Sequence, residues 1–219
     1  MKNIKESDSD IIQLPKSVEE DLFDLFKEYN NKLQPSISVV EALRGEFPGQ
    51  VLNEIRACFG HIARCFMVGR DESDCNNDLK QAHNHITRAI LDCYKIMLIY
   101  YFDEVKQFEK QYENTNLIIV DNGHFLPEFT ELKQTAESKS QQAKLAEADS
   151  FSEKEKSYPA YKEAILAYRD VLKLIENSAQ GLAHANQLAR KRSKEENRRS
   201  LAFAIIGAIL GAIISLIIG

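Results

Sequence analysis

The last nineteen residues of the chain are the feature that most restricts what it can fold into. Residues 201–219 read LAFAIIGAILGAIISLIIG and contain no charged side chain and a single hydroxyl, that of Ser215. At about 1.5 Å per residue, a helix of this length spans roughly 28 Å, close to the ~30 Å thickness of bilayer hydrocarbon. The run predicts one transmembrane helix over 200–219, which would anchor the protein in the cell membrane. A helix buried in a soluble core is the alternative.

A cluster of basic residues precedes this apolar run. Residues 190–200 (RKRSKEENRRS) carry six cations against two acids, in a chain whose net charge is −5. By the positive-inside rule we expect the N-terminal domain to lie in the cytoplasm, on the inner side of a single-pass membrane protein. We also expect the cations to contact lipid headgroups; they are Arg190, Lys191, Arg192, Lys194, Arg198 and Arg199. A nucleic-acid partner is the alternative, and no DNA is expected.

The composition of the rest of the chain favours helices. Nine Gly, five Pro and no Trp supply few turn formers for a sheet, and long stretches are rich in Lys, Glu, Gln, Ala and Leu. We predict an all-α fold with a flexible acidic leader over 1–14 and a helical bundle over 15–114. A helical hairpin or coiled-coil stalk is predicted over 115–199, ahead of the transmembrane helix. Within it, residues 117–127 are predicted as a packed loop or a brief strand.

A heptad pattern runs through the last third of the cytosolic part. Its positions recur alternately every four and three residues, and they are Tyr161, Ile165, Tyr168, Leu172, Ile175, Ala179, Leu182, Asn186 and Ala189. Two interpretations stay open. The seam could pack in a hairpin against a preceding helix at 127–151, or it could join copies of the chain in an oligomer.

Small side chains form two neighbouring rows on the predicted transmembrane helix. One row is Gly207, Gly211, Ser215 and Gly219, and the other is Ala204, Ala208 and Ala212. Because lipid solvates large apolar side chains well, close backbone approach at small residues is what drives helix association in a bilayer. The rows therefore predict a homo-oligomer, either a tight dimer or a ring that lines a pore. A passive anchor is the alternative.

Histidine and arginine recur with the same spacing in two neighbouring predicted helices. One helix contains His61-Ile-Ala-Arg64 and the other contains His85-Ile-Thr-Arg88. Residues three apart lie on the same side of a helix, and Asp92 extends the second row by one further turn. If the two helices pack as an antiparallel pair, the two polar rows could face each other.

A metal or cofactor site is not expected. Cys58 and Cys65 lie seven residues apart, or about 10.5 Å along a helix, which is too far to share one zinc ion. Cys58 with His61 could recruit His85, but burial of small thiols on a helix face is the preferred interpretation. The sequence contains no Walker loop, nucleophile elbow or dinucleotide-binding glycine pattern. We therefore expect no cofactor. A non-enzymatic role is preferred, and a metal-independent ribonuclease is the alternative.

The segment from Arg56 to His61 reads Arg-Ala-Cys-Phe-Gly-His, and it lies within EIRACFGHIARCF, ahead of AHNHITRAILDCYK. On these motifs, residues of about 50–100 resemble the HEPN-like helical families, whose Arg-x(4 to 6)-His motif on a helical hairpin serves RNA cleavage. The resemblance implies that His61 acts as general acid or base and that Arg56 or Arg64 stabilises the developing phosphorane charge.

Three interpretations of the polar residues stay open. They are a structural network that fixes helix register, a binding site for a nucleotide or another anion, and a metal-independent ribonuclease. For the whole chain we expect a homo-oligomeric membrane effector whose helical domain senses a nucleotide or protein trigger. The domain would control association of the transmembrane helices and so perturb the membrane. Bacterial stress or phage defence is the setting that the resemblance implies. A membrane-tethered HEPN-like ribonuclease and a passive scaffold are the alternatives.

Overall fold

The structure is a computed structural model that describes residues 14–67, 69–150 and 153–218, with side chains described as far as residue 208. This part of the chain is almost entirely helical and contains no strand, which confirms the all-α prediction. Its α-helices, in chain order, are α1 (Lys16–Glu28), α2 (Gln34–Arg44), α3 (Gly49–Cys65), α4 (Glu72–Gln111), α5 (Phe125–Asp149), α6 (Tyr158–Asn177) and α7 (Ala179–Ile218).

Proline and glycine set the helix boundaries in the first half of the chain. Helix α1 follows Pro15 and is joined to α2 by a π-helical turn over Tyr29–Leu33. This wider turn comes just before Pro35, which has no N–H to donate and whose ring crowds the preceding turn. Helix α2 ends at Gly45, whose φ of 72° is left-handed and whose amide donates to the Glu41 carbonyl at 2.8 Å.

The chain divides into two compact units. The first comprises the described part of Met1–Tyr101 together with Glu137–Leu166. The second comprises Phe102–Ala136 together with the described part of Ala167–Gly219. Helices α4, α5 and α6 therefore each contribute residues to both units.

The first unit is built on an antiparallel hairpin of α3 and α4. Asp71 caps the second helix, because its carboxylate accepts the backbone N–H of Asp74 at 2.8 Å. Apolar side chains from α1, α3 and α4 are removed from solvent in this unit; they include Leu25, Val51, Cys58, Leu79, Ile86 and Ile90. The hairpin places polar residues of α3 beside polar residues of α4, and these form the candidate site described below.

Three phenylalanines form the centre of the second unit. The ring centroid of Phe108 lies 5.9 Å from that of Phe125 and 5.2 Å from that of Phe129, and the last two are 5.7 Å apart. The segment expected to be a loop or brief strand forms two short 3-10 turns within Leu117–Gly123, separated by a kink at Val120, Asp121 and Asn122, whose backbone angles are not helical.

The predicted heptad seam is interrupted where α6 ends and α7 begins. Ser178 is not helical, and its hydroxyl donates to the carboxylate of Asp121. The seam residues Tyr161, Tyr168 and Leu182 are buried within the single chain. Intramolecular packing therefore uses part of the seam, and self-association of the chain stays a prediction.

The predicted C-terminal membrane anchor is contradicted. No helix among the described residues is long and apolar enough to cross a membrane. Gly211, Ala212, Ser215 and Gly219 of the predicted small-residue rows lie outside the described side chains.

Two glycines give a matched test of this packing. A Cβ atom at Gly181 would lie 3.0 Å from Val120 Cγ1 and 3.3 Å from Asp121 Oδ1, whereas one at Gly60 would meet nothing within 4 Å. We expect Gly181→Val to lower the free energy of unfolding by about 1–3 kcal/mol through steric overlap. Gly60→Ala should raise it by about 0.5–1 kcal/mol, since alanine is the better helix former. Urea unfolding followed by circular dichroism measures both, and a neutral Gly181→Val would contradict the close approach.

Candidate functional site

Two reciprocal histidine–carboxylate pairs join α3 to α4. His61 Nδ1 lies 2.8 Å from Asp78 Oδ1, and His85 Nδ1 lies 2.6 Å from Glu54 Oε2. Each helix supplies one acid and, seven residues later, one histidine, so that antiparallel packing brings each histidine to the acid of the other helix. We call these four residues, together with Arg64, the paired-histidine site.

The two imidazole rings of the site lie against each other. Their centroids are 5.3 Å apart, and their side chains are 20% and 18% exposed for His61 and His85. Each ring uses Nδ1 for its carboxylate, and neither Nε2 has a hydrogen bond to a described residue. The one buried side-chain nitrogen or oxygen without a partner in the described chain is Asn76 Oδ1. Both Nε2 atoms therefore keep some contact with solvent.

Asp78 is the most buried member of the site and is surrounded by cations. Its side chain is 8% exposed, and Arg64 Nε donates to its Oδ1 at 3.0 Å. Arg70 donates to the other carboxylate oxygen, and Arg64 Nη2 also lies against His61 Nδ1. Burial alone would raise the pKa of Asp78, but the hydrogen bonds from His61 and Arg64 outweigh it and hold this pKa below its ordinary value.

Three of the predicted site residues lie apart from these contacts. Arg56 is exposed on α3, and five helical steps place it about 140° around the axis from His61. Arg88 is exposed and forms no ion pair with a described residue. Asp92 is half-buried, which raises its pKa, and it has no hydrogen bond within the described chain. The catalytic or binding roles suggested for these residues stay predictions.

The sequence analysis missed Glu54, Asp78 and Arg70. A signal for the two acids is present, because Glu54 precedes His61 by the same seven residues that separate Asp78 from His85. That spacing puts acid and histidine on one face of each helix. Arg70 gives no such signal, since it lies outside both helices in the connection between them.

The described side chains offer no metal centre. Among them, no group of three or more His, Cys, Asp or Glu residues is arranged to hold a metal ion. Cys58 is buried, with its pKa raised to about 11 by that burial, and Cys65 hydrogen bonds to backbone carbonyls.

The basic residues before the apolar run lie on the surface. All six cations expected to contact lipid are exposed on α7, and contact with headgroups stays a prediction. Of the predicted small-residue rows, Ala204, Gly207 and Ala208 are exposed, and a Cβ at Gly207 would meet no atom within 4 Å.

Comparison with known proteins does not assign the chain to a family. No protein-family model matches it, and neither a curated protein nor a solved structure is similar to it at a significant level. The suggested HEPN-like protein with a C-terminal membrane anchor is therefore corrected: no family match supports it, and no helix of the described chain could span a membrane. The helical fold by itself is consistent with such a domain.

Proposed function

We propose that the chain is a ligand-sensing helical protein and that the paired-histidine site binds a phosphate-bearing ligand of the nucleotide kind. One observation carries the proposal. The centroids of two imidazole rings lie 5.3 Å apart, and each ring has Nδ1 on a carboxylate and an Nε2 that is not fully buried and has no partner among the described residues.

The chemistry of the donors favours an anion. A protonated imidazole donates from both nitrogens, so an Nδ1 that donates to a carboxylate leaves the Nε2–H for a ligand. The Arg64 guanidinium stands beside these rings and is 44% exposed, with its Nε on Asp78. A phosphate group accepts several charge-assisted hydrogen bonds at once, and guanidinium and imidazolium are the donors that suit it.

A purely structural role explains fewer features of the paired-histidine site than anion binding does. The ion pairs of Asp78 with Arg64 and Arg70 and the pair of Glu54 with His85 could fix the register of α3 against α4. Such a role does not require Nε2 of either histidine to donate a hydrogen bond. It leaves unexplained why each of the two neighbouring rings keeps one nitrogen that has no partner among the described residues.

Titration calorimetry with ATP and with pyrophosphate tests the proposal. We expect binding to the full chain and a loss of affinity of about 10-fold to 100-fold in His61→Gln or His85→Gln, the value of one hydrogen bond to a charged group. His184→Gln is the matched control, because His184 is exposed on α7 and lies outside the site. Equal binding by all four proteins, or no binding at all, would remove the proposed function.

Metal-independent phosphodiester cleavage is a second candidate. It is favoured by the contact between His61 Nδ1 and Asp78, because a carboxylate that orients an imidazole is a common arrangement for a general base. The same proteins, incubated with single-stranded RNA in the presence of a chelator, test it. Cleavage that disappears in His61→Gln and persists in His184→Gln would support catalysis, whereas binding without cleavage would support a sensor alone.

A further inference from the structure

Two buried cysteines face each other where α3 ends and α4 begins. Cys65 is the last residue of α3, and Cys75 lies in the first turn of α4. The Sγ of Cys65 donates to the backbone carbonyl of Cys75 at 3.5 Å, and the Sγ of Cys75 donates to the carbonyl of Cys65 at 3.4 Å. These reciprocal contacts hold the two thiols side by side.

The other two cysteines differ in this respect. Cys58 and Cys93 are also buried, but they hydrogen bond to no other cysteine among the described residues. Burial, together with contact with Cys75, raises the pKa of Cys65 to about 11, so Cys65 rests as a protonated thiol. Proximity therefore distinguishes Cys65 and Cys75 from the remaining thiols.

We propose that Cys65 and Cys75 form a site of reversible thiol oxidation, with a small-molecule disulfide such as oxidised glutathione as the oxidant. One of the two cysteines loses its thiol proton and attacks a sulfur of oxidised glutathione; a mixed disulfide forms, the S–S bond of oxidised glutathione breaks, and the leaving glutathione takes up a proton. The other cysteine then loses its thiol proton and attacks the protein sulfur of this mixed disulfide, which forms the Cys65–Cys75 bond and releases the second glutathione. The protein gives up two electrons and two protons, and the two glutathione thiols carry them.

The new bond would close a short loop beside the paired-histidine site. Arg64 directly precedes Cys65, Arg70 lies between the two cysteines, and Asp78 follows Cys75 by three residues. Both arginines bond to Asp78. Oxidation would thus tie together the segments that bring this carboxylate and its two guanidiniums into contact. The inference goes beyond the proposed function and does not rest on it.

Peptide mapping of the full chain tests the inference. The folded protein is incubated with oxidised glutathione, its free thiols are blocked with N-ethylmaleimide, and it is digested with trypsin. We expect the peptide 65–70 (CFMVGR) to be linked to the peptide 71–80 (DESDCNNDLK), with the intact mass lower by two hydrogens before alkylation. The midpoint of thermal unfolding should rise by roughly 5–10 °C, because the bond restricts the unfolded chain.

Single substitutions separate this pair from other thiol chemistry. Cys75→Ser and Cys75→Ala should each lose both the linked peptides and the thermal shift; alanine guards against misfolding caused by a buried hydroxyl. Cys58→Ser should keep both. Glutathione adducts without a cross-link, a cross-link to Cys58 or Cys93, or no oxidation of the folded wild-type chain would each overturn the inference.

Discussion

Replacing Phe125 by alanine is expected to lower the free energy of unfolding by about 3–5 kcal/mol, the usual cost of removing a buried aromatic side chain. Phe125 is 1% exposed and contacts the rings of both Phe108 and Phe129. Its removal would leave a cavity that two rigid rings cannot fill. Urea unfolding followed by circular dichroism measures the change.

Ile118→Ala is the matched control for this substitution. Ile118 belongs to the same unit and is 63% exposed, so its truncation should change the free energy of unfolding by no more than about 0.5 kcal/mol. If both variants were equally stable, the three phenylalanines would not form the core of their unit.

Asp78→Asn is expected to lower the free energy of unfolding by about 2–3 kcal/mol. The substitution keeps the size of the side chain but leaves Arg64 and Arg70 without their shared carboxylate. Removing one partner of a fully buried ion pair lowers the free energy of unfolding by more than this. The expected loss is smaller here because both guanidiniums are partly exposed, so that water replaces some of the lost interaction. Asp24→Asn, on the exposed face of α1, should be close to neutral.

The free energy of unfolding measured at acid pH gives a separate test of the contacts of Asp78. Its pKa is lower in the folded chain than its ordinary value because of the cations around it. The stability that Asp78 supplies is therefore present above about pH 4, the ordinary pKa of an aspartate, and is lost as the pH falls through the lowered value. The difference between the wild type and Asp78→Asn should shrink below about pH 4. A difference that stayed constant into strong acid would contradict this account.

Local sequence patterns were sufficient for the fold class, but they missed features that depend on tertiary contacts. The scarcity of turn formers and the heptad spacing predicted helices correctly. The break at Ser178 was not predictable, because no glycine or proline marks it and the hydroxyl bonds to Asp121, which is distant in sequence. The segment before α5 was predicted only as a packed loop or a brief strand, because the positive φ angles of Asp121 and Asn122 are allowed by these residue types but not required by them.

The candidate site was predictable in part. The repeated His-Ile-x-Arg pattern pointed to His61 and His85, whose rings the structure brings within 5.3 Å. The two acids share a spacing with these histidines, but many helices contain acids at such positions, and only the antiparallel packing of α3 and α4 identifies their partners. At the C-terminus, apolar length alone predicted a membrane span, which the described residues contradict.

The reciprocal arrangement of His61 with Asp78 and of His85 with Glu54 also has a mechanical consequence for the hairpin. The two contacts lie two helical turns apart, about 10 Å along the axes. If either helix slid by one turn, about 5.4 Å, both contacts would break together; His61 would face Asp74 or Ala82, depending on the direction, and His85 would face no acid in either. The two pairs therefore fix one register of α3 against α4. A ligand that binds the two rings would meet them already in position.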